Sequence, residues 1–363
     1  LSIRRQRQMC IRDRKNMGFS DPSKVSVHGY GGWPLDEDFS KEYIDDVPST
    51  PVWRGSDYLL FYGKGPVKWE YDSSSQTFVH TNNPYSLYGY YFVTDATPTN
   101  DMTSVAQASG ATNRITTYDD YLVHEQELVS LAKSGRELYG EDFSGATPRT
   151  LSTFSSIPGI TNEDAKVTMS FVSKVTSGTG VASLSINQSN VLDVSIRSNR
   201  EEYVKALEGV STAVWKGEKS EKNSVVVSYN SASHNNVRLN YVRLHFKRTL
   251  QPYGAYTFFR SIASIGNVSR FVVQGANANT LVFDVTDAQR VRLMETELNG
   301  SELTFSIPAG TLREFVLVRT DQSFISPEVV GEVENQNLHA LEQKDMIIIA
   351  AKAFQTQAER LAE

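Results

Sequence analysis

Six histidines, one cysteine and a few clustered carboxylates are the residues through which this chain could do chemistry, and their spacing argues against most of it. The histidines are His28, His80, His124, His234, His245 and His339. No two of them stand at i, i+4, and the sequence holds neither His-Glu-x-x-His nor Cys-x-x-Cys, so no dedicated metal site is expected. His245 lies within an alternating apolar segment and reads as a strand histidine rather than a ligand. There is no Gly-x-Ser-x-Gly nucleophile elbow and no phosphate loop, and no cofactor is expected. Asp284-Val-Thr-Asp287 offers oxygen ligands for calcium, but Thr286 and Asp287 are better read as capping a strand and starting a turn. Glu137, Glu141 and Asp142, with Arg136, contain the carboxylate pair that sugar hydrolysis would need. An ion-paired connector is the plainer reading of the same residues. Trp33, Trp53 and Trp69 could form a glycan platform, although tryptophans in β-rich domains mostly serve core and interface. Asn187, Asn267 and Asn299 each head an Asn-x-Ser sequon, which carries little weight in a Ser- and Asn-rich chain.

The elements that must position these residues are mainly strands. Tyr58 to Tyr62, Val67 to Tyr71, Thr77 to His80 and Tyr88 to Val93 form short aromatic runs separated by Gly, Asn, Asp and Pro turns, a meander of antiparallel strands. Between residues 119 and 133 the spacing of Tyr121, Leu122, Leu128, Leu131 and Ala132 predicts a short amphipathic helix, stopped by Ser134-Gly135. From about residue 150 strict alternation resumes, with Val167, Met169 and Phe171 on one face. About nine strands follow as far as Arg319, which predicts a jelly-roll-like β-sandwich. Residues 15–149 are thus expected to form a β-rich domain and residues 150–322 a β-sandwich.

The character changes after residue 322. Asp345-Met-Ile-Ile-Ile-Ala-Ala351 has the continuous apolar run of a strand buried on both faces of a parallel sheet. Phe354, Ala358 and Leu361 then fall at i, i+4, i+7, one apolar helical stripe. A buried strand feeding a helix is the first half of a βαβ unit, so residues 323–363 read as a linker and the start of a truncated α/β domain. At the other end, Met9-Cys-Ile-Arg-Asp-Arg14 resembles a translated sequencing-library adapter, and residues 1–14 are set aside as an artefact. Five of the 36 basic residues and one of the 42 acidic residues lie there, so the remaining chain carries a formal net charge of −10. That balance argues against a nucleic-acid partner, which needs basic patches to neutralise phosphate. The same removal takes away Cys10, the only cysteine, and with it any thiol nucleophile.

Seven segments in one order resemble the sortases of the bacterial type IX secretion system, the PorU family, whose members are gingipain-like cysteine peptidases with a caspase-like α/β domain. They are Tyr58-Leu-Leu-Phe-Tyr-Gly-Lys-Gly-Pro66, His80-Thr-Asn-Asn-Pro-Tyr-Ser86 with Tyr90-Tyr-Phe92, and Ser134-Gly-Arg-Glu-Leu-Tyr-Gly-Glu-Asp-Phe143. Leu239-Asn-Tyr-Val-Arg-Leu244, Val282-Phe-Asp-Val-Thr-Asp287, Asn335-Gln-Asn-Leu-His339 and Asp345-Met-Ile-Ile-Ile349 complete the series. The resemblance implies an outer-membrane, cell-surface protein that cleaves the C-terminal signal domain from exported cargo. It also implies transfer of the cargo to an amine on a lipopolysaccharide-type acceptor, alongside other outer-membrane secretion components. Such a cysteine endopeptidase/transpeptidase needs a thiolate, a histidine and an oxyanion hole. The family's His/Cys dyad is expected beyond Glu363, so neither His339 nor Cys10 takes a catalytic role and the fragment is expected to be inactive. The alternative is a surface β-sandwich binding or adhesion module with no enzymatic activity. A β-sandwich glycosidase ranks last, for want of a credible carboxylate pair.

Overall fold

The computed structural model describes residues 2–4, 19, 21–38, 40–41, 46–55, 58–131, 137–199, 206–232, 234, 236–324, 326–334 and 337–363. The chain divides into two compact units, Leu1–Val329 and Val330–Glu363.

The first unit is built around one sheet of nine strands. In spatial order these are Leu207–Trp215, Ala165–Ser173, Val237–Thr249, Thr117–Glu125, Tyr256–Arg260, Glu314–Arg319, Thr280–Asp284, Arg292–Met294 and Ser104–Val105. Two four-stranded sheets pack against it. One, made of Arg149–Thr150, Val225–Tyr229, Thr179–Ile186 and Ser189–Arg197, encloses a core that includes Val167, Met169, Phe171, Leu184 and Val227. The other, made of Asn113–Ile115, Asn267–Val273, Glu302–Ala309 and Glu297–Asn299, encloses a phenylalanine cluster. Phe259, Phe271, Phe305 and Phe315 are fully buried there, and Phe271 stacks on Phe305 with ring centroids 4.9 Å apart. Burying each such ring stabilises by roughly 1.5–3 kcal/mol.

The mainly-β reading holds, and all nine strands expected between Ala165 and Arg319 form. What was expected as one sandwich is two sandwiches sharing a sheet. The reason is Thr117–Glu125, which lies before residue 150 yet inserts between Val237–Thr249 and Tyr256–Arg260, strands consecutive in the chain. The boundary expected at residue 149 therefore falls inside one unit. The helix expected over 119–133 is also corrected. Residues 117–125 form a strand in register with the length of the next one, Thr117 opposite Thr249 and Glu125 opposite Tyr241. Tyr118 and Leu122 do lie on one face, as a helix would place them, but a strand also puts i and i+4 together. Ladder hydrogen bonds on both sides outweigh the local pattern. The expected stop at 134–135 lies outside the described residues.

Phase errors in the sequence are absorbed in the backbone. Apolar residues of Val237–Thr249 switch from odd to even numbers, Val237 and Leu239 but Val242, Leu244 and Phe246. A bulge opposite Ser170 and Phe171 takes up Asn240 as an extra residue, so all five side chains reach the same core.

The N-terminal portion adds a smaller sheet. Tyr88–Thr94 pairs with Ser26–Gly31, which pairs with Ser49–Thr50, and Ser2–Arg4 pairs along the outer side of Tyr88–Thr94. Residues 5–14 of the presumed adapter lie outside the described residues. Leu59–Phe61 joins this region to the large sheet, with Leu59 and Phe61 in one core and Leu60 and Tyr62 in another beside Phe283 and Val316. Gly89 sits where the loop after Tyr62 crosses, and a Cβ there would meet the Lys64 carbonyl at 2.4 Å.

In the second unit, Gln355–Ala362 is a helix, as the stripe of Phe354, Ala358 and Leu361 predicts. The strand expected over residues 345–351 does not form. Among the described residues nothing pairs with it, and a strand without a ladder partner has no means of satisfying its backbone except water. Ile347 and Ile349 are 81% and 95% exposed.

Candidate functional site: a buried charged seam between the two sandwiches

The strand Thr117–Glu125 presents acidic residues where its neighbours present bases. Asp119, only 1% exposed, accepts from His245 Nε2 at 3.0 Å, from Lys247 Nζ at 2.8 Å and from the Ile262 backbone N–H at 2.7 Å. Arg260, also 1% exposed, donates to the Asp119 carbonyl at 3.2 Å and pairs through Nε with Glu314 at 3.0 Å. Asp120 faces the other way and accepts from Arg248 Nη1 at 2.9 Å. Burial pushes the Asp119 carboxyl up, but hydrogen bonds from His245 and Lys247 and the lysine charge outweigh it and hold the group below the ordinary carboxylate value.

The hairpin Val67–Asp72 and Thr77–Asn82 lies over this seam. Trp69 stacks on Tyr121 with centroids 4.0 Å apart, and the Arg260 guanidinium lies 4.4 Å from the same tyrosine ring. His80 and Asn82 both bond Glu125, at 2.9 and 2.6 Å. Lys166 Nζ reaches the turn of the hairpin, donating to the Ser75 and Gln76 carbonyls. A cavity of about 310 Å³ opens beside Trp69, Tyr121, Arg248, Tyr253 and Arg260. Its charged groups already satisfy one another, with Arg248 spent on Asp120 and the Pro158 carbonyl while stacked 3.7 Å from Tyr253.

A second constellation has the order hydroxyl, imidazole, carboxylate. His124 links Thr153 Oγ1, 2.9 Å from Nδ1, to Glu141 Oε1, 2.7 Å from Nε2. Acyl transfer uses that order, but the seam cavity is lined by other residues. The arrangement ties the central strand to the connector and to the turn Ser152–Phe154. Burial raises Glu141, but the His124 hydrogen bond, a backbone hydrogen bond and the charges of His124 and Arg149 together outweigh it, leaving its carboxyl lowered.

The other sequence candidates are dispersed. Asp284 is filled by Arg292 at 2.9 Å, Arg313 at 2.8 Å and the Thr286 hydroxyl at 2.6 Å, so two guanidinium groups occupy the place of a calcium ion. Asp287 caps the following turn through Gln289 N–H, as the plainer reading has it. Asp142 pairs with Arg238 at 3.1 Å, and Glu137 accepts from Tyr139, which makes this stretch the ion-paired connector rather than a hydrolytic pair; Arg136 lies outside the described residues. The three tryptophans have separate partners: Trp33 lies under Lys64, Trp53 packs on Tyr58 and Phe283, and Trp69 on Tyr121. They do not make one platform. Asn187 and Asn267 spend their amides on Asn223 and on the Ala263 and Ile265 carbonyls, and Asn299 ends an exposed strand. His28 lies by Ser26 and Thr97, His234 by Tyr229, and His339 in the short turn Leu338–Ala340. Cys10 is outside the described residues. Among the described residues no three His, Cys, Asp or Glu side chains cluster as metal ligands, and no helix is long and apolar enough to cross a membrane.

Sequence reasoning missed Asp119, Arg248 and Arg260. The available signal was charge inside aromatic strands, Tyr118-Asp-Asp-Tyr121 and Phe258-Phe-Arg260, since charged residues are almost never fully buried unless paired.

No protein-family model and no curated protein matches the sequence. A solved structure does, that of dimeric latent PorU from Porphyromonas gingivalis, with a TM-score of 0.90 and 29% identity over 100% of this chain. A cycloisomaltooligosaccharide glucanotransferase from Paenibacillus sp. matches over 58% of the chain at a TM-score of 0.21 and 9% identity, too weak to carry an argument. The 363 residues span 35% of the PorU chain, and over their whole length this protein is PorU-like.

Proposed function

We propose that this chain is the non-catalytic front portion of a type IX secretion sortase, a gingipain-like cysteine peptidase at the outer-membrane cell surface. The whole enzyme would cleave the C-terminal signal domain from exported cargo and hand the new carboxyl end, through a thioester, to an amine of a lipopolysaccharide-type acceptor. The likeness to PorU over the full chain is the observation that carries this reading. The buried seam supports it. Asp119, Arg248 and Arg260 are each committed to partners within the protein, Lys247, Asp120 and the Asp119 carbonyl respectively, which suits groups that hold two sandwiches in register rather than groups that meet a substrate. The peptidase dyad is assigned to parts of the parent that these residues do not span. Here the two sandwiches act as a scaffold that positions the peptidase or receives the cargo's signal domain.

Incubating the purified chain with a cargo signal-domain peptide tests the assignment. No cleavage product is expected. Turnover abolished by a thiol-blocking reagent would overturn it. Retention of a cargo signal domain at micromolar concentration is expected if the scaffold receives cargo, and absence of retention would leave only the positioning role.

A further inference from the structure

A cation that leaves water is expected to meet an anion or a set of acceptors. Most partly buried cations of the first unit do so. Arg54 pairs with Asp101 at 2.7 Å, Arg238 with Asp142 at 3.1 Å, and Lys247 with Asp119 at 2.8 Å. Lys64 does not. It is half-buried, and its Nζ lies 4.8 Å from the centre of the Trp33 ring. Among the described residues no carboxylate or carbonyl accepts a hydrogen bond from that Nζ. Burial pushes the ammonium below its ordinary value; Asp287 draws it back up through its charge, and nearby Lys68 lowers it further. The Trp33 indole adds a second donor at the same place, since its Nε1–H is shut off from water and has no partner among the described residues.

The backbone holds both residues where they are. The Lys64 N–H donates to the Tyr91 hydroxyl at 2.8 Å, and the Lys64 carbonyl accepts from the N–H of Gly32, the neighbour of Trp33, at 2.9 Å. Gly31 leaves room for this crossing, because a Cβ there would meet the Lys64 carbonyl at 2.6 Å. The Gly32 carbonyl is held in turn by the Asn83 amide at 2.9 Å. Both backbone groups of Lys64 are therefore fixed, and only its charged end is unspent. Lys68 Nζ lies 5.9 Å from the same ring but is already paired with Glu70 at 2.8 Å.

We propose that Trp33 and Lys64 form a binding site for an oxyanion group, a carboxylate or a phosphate, whose oxygens accept from the ammonium and the indole N–H together. The ammonium bond is charge-assisted, and a group bearing two or more oxygens can meet both donors. The carboxylates nearby are spent, Asp36 on Lys41 and Glu70 on Lys68. With Asp287 they keep the surroundings acidic, so the site suits a single anionic group rather than a polyanion.

The indole N–H resonances of the full, nitrogen-labelled chain test this as sodium acetate or inorganic phosphate is added at constant ionic strength, with Trp33→Phe assigning the Trp33 signal. The expected result is a saturating shift of that signal, half-complete at about 1–10 mM of the anion. The affinity should fall about tenfold or more in Lys64→Met and stay unchanged in Lys174→Met, an exposed lysine elsewhere. The remaining indole signals establish that each variant is folded. Saturation by acetate, by phosphate or by both supports the site, and the tighter of the two names the group. No saturation by either anion below about 100 mM overturns the proposal. So does a shift that persists at full affinity in folded Lys64→Met, since that places the contact elsewhere.

Discussion

Thr117–Glu125 and residues 345–351 invert what their sequences advertise. The first is crowded with charge, spaced like a helix, and becomes the strand on which both sandwiches meet. The second is the most apolar run in the chain, composed like a buried strand, and pairs with nothing among the described residues. Their difference is one of partners. Asp119, Asp120, Glu125 and His124 are each met by a base, acid or hydroxyl on a neighbouring element, so the charges add specificity of register to the ladder. Ile347 and Ile349 are 81% and 95% exposed among the described residues, and apolar composition alone cannot order a backbone.

The largest effect that would sharpen this contrast comes from removing one member of the seam. Asp119→Ala leaves Lys247 and His245 without their acceptor and should cost about 3–5 kcal/mol, the range for breaking a buried pair. Chemical denaturation of the variant beside the parent measures it. A loss below 1 kcal/mol, the range of exposed pairs, would mean the seam contributes little to holding the sandwiches.

Acid should act on the same groups more gently. Asp119, Glu141 and Asp142 all have carboxyls held below their ordinary values in the folded chain. A depressed folded value stabilises fully above the unfolded carboxylate pKa of about 4 and is lost as pH falls through the folded value. Urea midpoints should therefore show no pH dependence from these groups between about pH 5 and 7, where their contribution is complete, and a decline below about pH 4, shallower in Asp119→Asn. A decline that is equally steep in that variant would place the acid sensitivity elsewhere.

The smallest effect belongs to the other region. Ile349→Asp should change unfolding stability by less than about 0.5 kcal/mol, as substitutions at exposed sites do. A larger destabilisation would show that residues 345–351 pack against something in the free chain.

Strands such as Thr179–Ile186 were legible because one face is buried and alternation records it, whereas Glu314–Arg319, buried along nearly its whole length, was legible as a short apolar run. The phase switch between Leu239 and Val242 was not read in the sequence, because its cause, the extra residue Asn240, appears only in the pairing register. Less legible was any feature depending on a distant partner. Tyr118, Tyr121 and Leu122 fit a helix and a strand alike, and only their contacts with Phe259, Trp69 and the first core decide. The Asp284 cluster was ambiguous for the same reason: Arg313 lies 29 residues away in sequence yet fills the carboxylate.

Amide hydrogen exchange of both segments in a single sample tests the contrast most directly. Amides of Thr117–Glu125 should exchange only on global unfolding, and those of 345–351 at nearly the rate of an unstructured peptide. Comparable protection in the two segments would contradict the claim that partners, rather than composition, make the strand.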